Sequence, residues 1–293
     1  MYSRFEALQK YNLDKLQNST AAVIGLGATG SVIAEHLARH GVNLILVDRD
    51  YLEMNDLYSS NLYSREQCES AIPKSKAAEE KLEDLTDVKA YIENIDSSNL
   101  DIVSEADIIM DGTDNLETRL IIDDYCSEEG VPWVYTAALA EKGFSMFVEN
   151  QCFRCIFEKV DPASSCERNG IMREISSVTA SKSSMKAVKY LSEFEIDERL
   201  EMIPEGNKFE LEICNCNESK SVEVSSVCGD EKYQVFGSTS PEDFRGKVEK
   251  ENEYLRKIIF EGNLLTVFSS GRAIVEASSL EEAEKVYREA SSI

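Results

Sequence analysis

Short apolar runs alternate with helical patterns along most of the chain. Between Ala21 and Asp48, an apolar run leads into a glycine-rich turn, a helical pattern and a second apolar run. This order is typical of a βαβ unit. Later apolar runs predict further strands at Val88–Ile92, Ala106–Met110, Val131–Tyr135 and Phe144–Glu149. The pattern therefore predicts an α/β fold with a Rossmann-like, doubly wound mixed sheet.

After Phe209 the pattern changes to short β segments. A helical stretch is predicted from about Pro241 to Lys257, and two strands, Leu264–Phe268 and Ala273–Ala277, form a hairpin. A capping box at Ser279–Glu282 opens a last helix that ends near Ala290. We therefore expect an α/β domain with an N-terminal helix at 1–206, a strand and cysteine segment at 207–230, and a small α+β module at 231–293.

The turn after the first strand carries three glycines with a spacing that suits phosphate binding. Gly25 allows a tight turn, Gly27 leaves room for a phosphate, and Gly30 lets the next helix pack closely. The helix N-terminus offers its N–H groups to the same phosphate. Asp48 ends the second strand, where a carboxylate can accept the ribose hydroxyls. This segment alone is equally typical of an NAD-binding dehydrogenase.

Acidic residues after a later strand point to a different nucleotide. Asp111 and Asp114 follow an apolar run and face the same crevice as the glycine turn, where they would repel a triphosphate unless a divalent cation lies between them. This favours a magnesium nucleotide, although either aspartate could simply cap the next helix. Lys74 would add a positive charge beside the nucleotide, or it is an ordinary exposed helix lysine.

The composition of the chain limits its possible binding partners and its expected cellular compartment. The net charge of -24 argues against nucleic acid and against anionic membranes, and a merely soluble acidic surface explains it most simply. No apolar run is long enough for a membrane span, and the N-terminus lacks an apolar signal region, so we expect a cytoplasmic protein. Among eight cysteines, the pair Cys152 and Cys155 is typical of half a metal site or of a redox pair.

Taken together, these motifs resemble the ThiF/MoeB/HesA group, the prokaryotic relatives of ubiquitin-activating enzymes. The matching segments, from Tyr2 to about Leu191, are Tyr2–Arg4, GLGATGS (Gly25–Ser31), Asp48–Asp50, Pro73–Lys74, DGTDNLETR (Asp111–Arg119), Cys152–Cys155 and Ser165–Gly170. The resemblance implies ATP- and Mg²⁺-dependent adenylation of a carboxylate. In the family this is usually the C-terminal glycine of a ubiquitin-like sulfur carrier with a Gly-Gly tail.

The resemblance also implies roles for individual residues. It assigns nucleotide binding to Gly25, Gly27, Gly30, Asp48, Asp50, Asn115 and Arg119, with Asp48 on the ribose and the last two shaping the loop. It implies phosphate contact by Lys74, Mg²⁺ binding by Asp114, and an Arg4 that reaches the other subunit's site in a homodimer. Cys166 matches a cysteine that can take over the activated acyl group, although a bystander thiol explains it as well.

Two departures from the family pattern matter. Ser59 stands where the family carries an arginine on the phosphates, and Arg65 is a candidate to replace it. The resemblance further implies a four-cysteine Zn²⁺ site in a zinc-ribbon-like segment, with Cys152 and Cys155 as its first half. The second half is irregular: we expect Cys228 to bind, with Cys214 or Cys216 as the fourth ligand.

Three functions remain open at this point. Adenylation of a carrier protein is favoured. Adenylation of a small-molecule carboxylate in cofactor biosynthesis is motivated by the unusual segment Tyr51–Tyr63 and by Ser59. An inactive nucleotide-binding scaffold is the third possibility, and a dehydrogenase is a distant fourth.

Overall fold

The computed structural model describes residues 8, 11–60, 62–96, 99–149, 153, 170–209, 232–235, 241–251, 255–268 and 273–291 of the chain. The chain divides into two compact units, Met1–Val222 and Glu223–Ile293. Each unit has a β-sheet of its own. Among the helices that the structure describes, none combines the length and the apolar character that a bilayer crossing requires.

The first unit alternates strands and helices as its sequence pattern predicts. Its elements in chain order are α1 (Leu13–Gln17), β1 (Thr20–Ile24), α2 (Gly30–Arg39), β2 (Asn43–Val47), α3 (Asp56–Ser59), α4 (Arg65–Ser70), α5 (Lys74–Leu82), β3 (Val88–Tyr91), a 3₁₀ helix (Leu100–Val103), β4 (Ile108–Asp111), α6 (Leu116–Glu129), β5 (Trp133–Leu139), β6 (Lys142–Val148), α7 (Arg173–Leu191), β7 (Leu200–Ile203) and β8 (Lys208–Phe209).

In the described part of this unit, the sheet has the order β3-β2-β1-β4-β5-β6-β7-β8. Pairing is parallel from β3 through β5 and antiparallel from β5 through β8. The predicted Rossmann-like mixed sheet is confirmed. The strand order reverses between β1 and β4, and open α/β sheets bind their ligands beyond the carboxyl ends of the strands at such a reversal.

Strand register brings the carboxyl ends of three central strands to one level. Ile24, the last residue of β1, pairs with Val47 on one side and with Asp111 on the other. The residues that follow these ends, Gly25, Asp48 and Gly112, therefore lie at the same edge of the sheet. Sequence separation between them is large, so only the parallel pairing brings them together.

Alternate residues of the central strands enter two apolar cores on opposite faces of the sheet. On one face, Val23 and Leu46 belong to a buried cluster with Ile33 of α2 and Val188 of α7. On the other face, Ala22 and Ile45 join a cluster that includes the buried rings of Trp133 and Phe153. Coverage on both faces fixes the positions of the strand ends that carry the polar residues.

The second unit is a separate α+β structure. Its described elements are β9 (Lys232–Val235), a 3₁₀ helix (Pro241–Asp243), β10 (Lys247–Glu251), β11 (Leu255–Phe260), β12 (Asn263–Phe268), β13 (Ala273–Glu276) and α8 (Leu280–Ser291). The strands pair antiparallel in the order β10-β11-β12-β13-β9. The expected hairpin pairing of β12 with β13 is present, and Ser279 caps α8 by accepting the Glu282 N–H at 3.2 Å.

The predicted helix from Pro241 to Lys257 is wrong. Among the described residues of this stretch, a short 3₁₀ helix at Pro241–Asp243 is followed by β10 and β11. The lysines and glutamates of this stretch favour a helix by propensity. However, β11 places Ile258 in the core and supplies a pairing partner for β10, and such tertiary context overrides local preference. The zinc-ribbon-like segment predicted at 207–230 lies almost entirely outside the described residues.

Candidate functional site

Three glycine backbones pack against one another at the reversal point between β1 and β4. Gly25 has φ +85°, and a Cβ placed on it would lie 2.8 Å from the carbonyl carbon of Gly112. A Cβ on Gly30 would lie 2.9 Å from the carbonyl carbon of Gly25 and closer still to its oxygen. A Cβ on Gly112 would lie 2.7 Å from the Cα of Gly30. No side chain fits here, so the first and third glycines of the loop serve close packing.

Gly27 differs from its neighbours in the loop. A Cβ placed there would have no atom within 4 Å, and its φ lies outside the left-handed region. Packing therefore does not demand a glycine at this position. The absence of a side chain leaves an open approach to the backbone of the loop, which is what a phosphate needs.

The carboxylate of Asp48 fastens the glycine loop to the end of β2. Its oxygens accept the N–H of Leu26 at 2.6 Å and the N–H of Asp50 at 2.7 Å. Burial, and then the nearby Asp50, raise the pKa of Asp48 to about 6, and Lys74 acts in the opposite direction. The hydroxyl of Tyr63 donates to the Leu26 carbonyl at 2.6 Å and holds the loop from the other side. A ligand contact by Asp48 would come in addition to this structural role.

Lys74 lies at the start of α5 and faces carboxylates. Its ammonium is 3.3 Å from a carboxylate oxygen of Asp56, and its backbone N–H donates to the carbonyl of Asp50 at 2.9 Å. Burial alone would lower the pKa of Lys74, but Asp48, Asp50 and Asp56 together hold it above its ordinary value. The lysine is therefore cationic and sits beside the glycine loop.

Asp111 does not face the crevice as the sequence suggested. Its side chain is fully buried; it accepts the N–H of Thr113 at 2.8 Å and the Nε–H of Arg119 at 2.9 Å. Because all these contacts are internal, the expectation that Asp111 and Asp114 together hold a cation is corrected. Asp114 is exposed in the loop between β4 and α6, so its carboxylate remains available to bind a cation.

Arg119 is directed into the protein, where it shapes the loop after β4. Besides Asp111, its guanidinium donates to the carbonyls of Thr113 and Thr136 and lies 5.1 Å from the ring centre of Tyr135. Burial alone would lower the pKa of Arg119, but Asp111 and Tyr135 keep it above the ordinary value.

Asn115 has a comparable structural task in the same loop. It is the N-cap of α6, and its side-chain oxygen accepts the N–H of Thr118 at 2.8 Å. Asp114, immediately before it, is therefore held at the start of a helix. The cap fixes the direction in which the chain leaves β4 and so fixes where this exposed carboxylate stands.

A cavity of about 170 Å³ adjoins the glycine loop. The described residues lining it are Ala28, Asn55, Tyr58, Ser59, Ile171, Arg173 and Ser176. The sequence analysis did not connect Arg173 with Ser59. The two are more than a hundred residues apart, and no local pattern indicated their proximity. Arg65, the suggested replacement for the arginine absent at Ser59, is largely exposed and lies 3.9 Å from Glu69 on α4.

Several predicted site residues lie outside the described part of the chain. These are Arg4, Cys166 and the five candidates for the four zinc ligands, Cys152, Cys155, Cys214, Cys216 and Cys228. Among the residues that the structure does describe, no group of three or more potential ligands is arranged to hold a metal ion. The roles assigned to these residues stay predictions.

Fold and site together define a Rossmann-like α/β protein with a glycine loop suited to a phosphate group. Comparison with known families makes the assignment specific: the ThiF family model matches residues 2–225. The chain belongs to the ThiF family. The resemblance inferred from the sequence motifs is therefore confirmed.

Several characterised proteins are similar in sequence. The sulfur carrier protein ThiS adenylyltransferase of Bacillus subtilis (strain 168) is 33% identical over 167 residues, which are 54% of this chain and 50% of that protein. The Arabidopsis thaliana adenylyltransferase and sulfurtransferase MOCS3 is 31% identical, over 65% of this chain and 44% of that protein. This chain thus spans about half the length of these two relatives. The ThiS adenylyltransferase of Escherichia coli (strain K12) is 30% identical, over 66% of this chain and 82% of that protein.

Solved structures agree on the fold. The crystal structure of E. coli MccB with ATP has a TM-score of 0.57 and 19% identity, covering 65% of this chain and 62% of that one. The crystal structure of PaaA has a TM-score of 0.55 and 17% identity, covering 69% and 66%. At these identities the likeness establishes the architecture and nothing finer.

Proposed function

We propose that this protein uses ATP and Mg²⁺ to adenylate a carboxylate. The observation that carries the proposal is the arrangement at one sheet edge: an open approach over Gly27, a cationic Lys74 and an exposed Asp114. A dehydrogenase would use the same glycine loop, but hydride transfer does not require a carboxylate that holds Mg²⁺ at this edge. Membership of the ThiF family, with relatives named adenylyltransferases, supports the same conclusion.

The chemistry requires charge neutralisation more than a protein nucleophile. A carboxylate oxygen of the substrate forms a bond to the α-phosphorus, and the bond from that phosphorus to the bridging oxygen breaks. The electron pair leaves with pyrophosphate, and the products are an acyl adenylate and pyrophosphate. Lys74 would stabilise the negative charge that develops on the leaving group, and Asp114 would hold the cation that shares this task.

The acyl substrate we propose is the C-terminal glycine of a ubiquitin-like sulfur carrier protein. Relatives named ThiS adenylyltransferase and MOCS3 support this choice. A small-molecule carboxylate is the second candidate. It is favoured by Ser59 and Tyr58, which give the cavity beside the loop a lining that differs from the family pattern.

Further parts of the proposal rest on residues outside the described chain. We propose a cytoplasmic homodimer in which Arg4 of one subunit reaches the other subunit's site. Cys166 would then attack the acyl carbon as a thiolate, forming a thioester while the carbon–oxygen bond breaks and AMP leaves. Cys152, Cys155 and Cys228, with Cys214 or Cys216, would hold a structural Zn²⁺.

The test is ATP–pyrophosphate exchange with the full chain and candidate carriers ending in Gly-Gly. We expect Mg²⁺-dependent exchange with one carrier, and a loss of more than about tenfold in Asp114→Asn. Asp84→Asn, an exposed aspartate at the end of α5, is the matched control and should retain activity. Exchange stimulated by a protein-free metabolite extract would favour the small carboxylate. A protein that ignores ATP and binds NADH would contradict both.

A further inference from the structure

The cavity beside the glycine loop combines groups from three parts of the chain. Ala28 contributes from the loop itself, Ser59 from α3, and Arg173 and Ser176 from α7. Ala28 lies directly after Gly27 in the loop, so the cavity adjoins the segment to which we assign phosphate binding. The two lining residues that α7 contributes, Arg173 and Ser176, are both polar.

A cationic side chain at the start of a long helix lines this cavity, and Glu174 in the same helical turn is not among its described lining residues. Arg173 is the first residue of α7, a helix of 19 residues whose N-cap, Met172, makes no side-chain capping bond. The N-terminus of a long helix carries the positive end of the helix dipole. Arg173 is the cationic side chain among the described residues that line the cavity. An anion is therefore the ligand favoured here.

An independent observation comes from Ser176, one turn along α7. Its side chain is 1% exposed, and its hydroxyl has no hydrogen-bond partner among the described residues. Buried hydroxyls are normally satisfied, because leaving one unpaired costs free energy. A hydroxyl in this state on the wall of a cavity is a donor for a bound group.

Charge balance explains why a second cation is needed. The ammonium of Lys74 already faces Asp48, Asp50 and Asp56, so much of its charge is offset within the protein. Ser59 carries no charge, and its hydroxyl donates to the carbonyl of Asp56 at 3.3 Å. A triphosphate that enters this crevice would therefore still lack a cation on the side of α3 and α7.

We infer that Arg173, assisted by Ser176, binds the terminal phosphates of ATP and the pyrophosphate that leaves. This inference rests on the proposed function and assigns a leaving-group contact to a residue of α7. Arg173 is the candidate over Arg65, because Arg173 lines the cavity and Arg65 is not among the described residues that line it.

The experiment measures binding of three probes to the full chain by calorimetry: ATP, inorganic pyrophosphate and AMP. In Arg173→Ala we expect the Kd values of ATP and pyrophosphate to rise by about tenfold or more, the scale of one lost charge-assisted contact. The Kd of AMP should stay within about twofold, because AMP lacks the terminal phosphates. Arg173→Lys should recover part of the loss, Ser176→Ala should show a smaller loss, and Arg65→Ala should behave as the unaltered protein.

Four outcomes would overturn the inference. Unchanged pyrophosphate affinity in Arg173→Ala would show that Arg173 does not contact the pyrophosphate. The proposed adenylation would still stand, provided the unaltered chain binds ATP. Equal weakening of AMP and pyrophosphate would indicate a general structural effect. A raised KM for the acyl substrate with unchanged pyrophosphate affinity would show that the cavity receives the substrate carboxylate. A chain that binds none of the probes would refute the proposed function as well.

Discussion

Replacing single glycines of the loop separates its structural role from its ligand role. In Gly30→Ala, the new methyl group would lie 2.9 Å from the carbonyl carbon of Gly25. The nearest atoms, from Gly25 and Gly112, all belong to the backbone. Loop backbone that is packed between the strands and the helix cannot move aside as a flexible side chain can. Overpacking of this kind costs about 3 kcal/mol or more of unfolding free energy. In Gly27→Ala, the methyl group enters open space, so stability should change by less than about 1 kcal/mol.

These values translate into measurable shifts. For a unit of this size, 3 kcal/mol lowers the Tm by about 6–12 °C. Trp133 is the single tryptophan of the chain and is buried in the same sheet, so its fluorescence reports the unfolding of this unit. We expect Gly30→Ala to melt earlier. Gly27→Ala should melt like the unaltered protein but bind ATP about tenfold more weakly or worse, because the methyl group occupies the approach to the loop.

Two results would refute this reasoning. A Gly30→Ala variant with an unchanged Tm would mean that the loop relaxes around a side chain, and that the three glycines are not required by packing. A Gly27→Ala variant that binds ATP normally would mean that the open space over Gly27 does not receive the phosphates. The second result would also weaken the proposed function.

Two further predictions concern buried charges. Burial lowers the pKa of Lys186 to about 8 although Glu201 lies 3.8 Å away, whereas an unfolded lysine keeps its ordinary value of 10.5. The unfolded chain thus binds more protons between pH 8 and 10.5, so the free energy of unfolding should rise with pH there by up to about 3 kcal/mol. In urea titrations, the rise of the unfolding free energy with pH should be smaller in Lys186→Met. An equal rise in the variant would mean that Lys186 does not cause it. Arg119→Met leaves Asp111 buried without its cation and should cost about 3–5 kcal/mol in the same assay, so a loss below about 1 kcal/mol would speak against the pair.

Features that depend on neighbouring residues could be predicted well from the sequence. The βαβ unit appears as predicted, with α2 beginning at Gly30 and β2 ending just before Asp48. Period-2 and period-3.6 patterns are local consequences of burying one face, so they can be read without the tertiary structure. The motif order likewise led to the correct family.

Predictions failed where side-chain contacts and strand pairing decide the outcome. Asp111 follows a strand just as a ligand-binding aspartate would, but Arg119 and Thr113 enclose it. The stretch from Pro241 to Lys257 has helical composition and forms strands instead, because β11 buries Ile258 and pairs with β10. In each case the deciding partner lies close in sequence, but only the folded backbone shows that the two groups contact each other.

The sequence by itself determined the fold class, the family, and the loop that would receive a phosphate, because these depend on short repeating patterns and on residues without side chains. Only the tertiary structure decided which carboxylate is exposed, and only it placed Arg173 across a cavity from Ser59. Parallel pairing and helix packing bring together groups more than a hundred positions apart. The charge and burial of a side chain in that setting depend on all its neighbours at once.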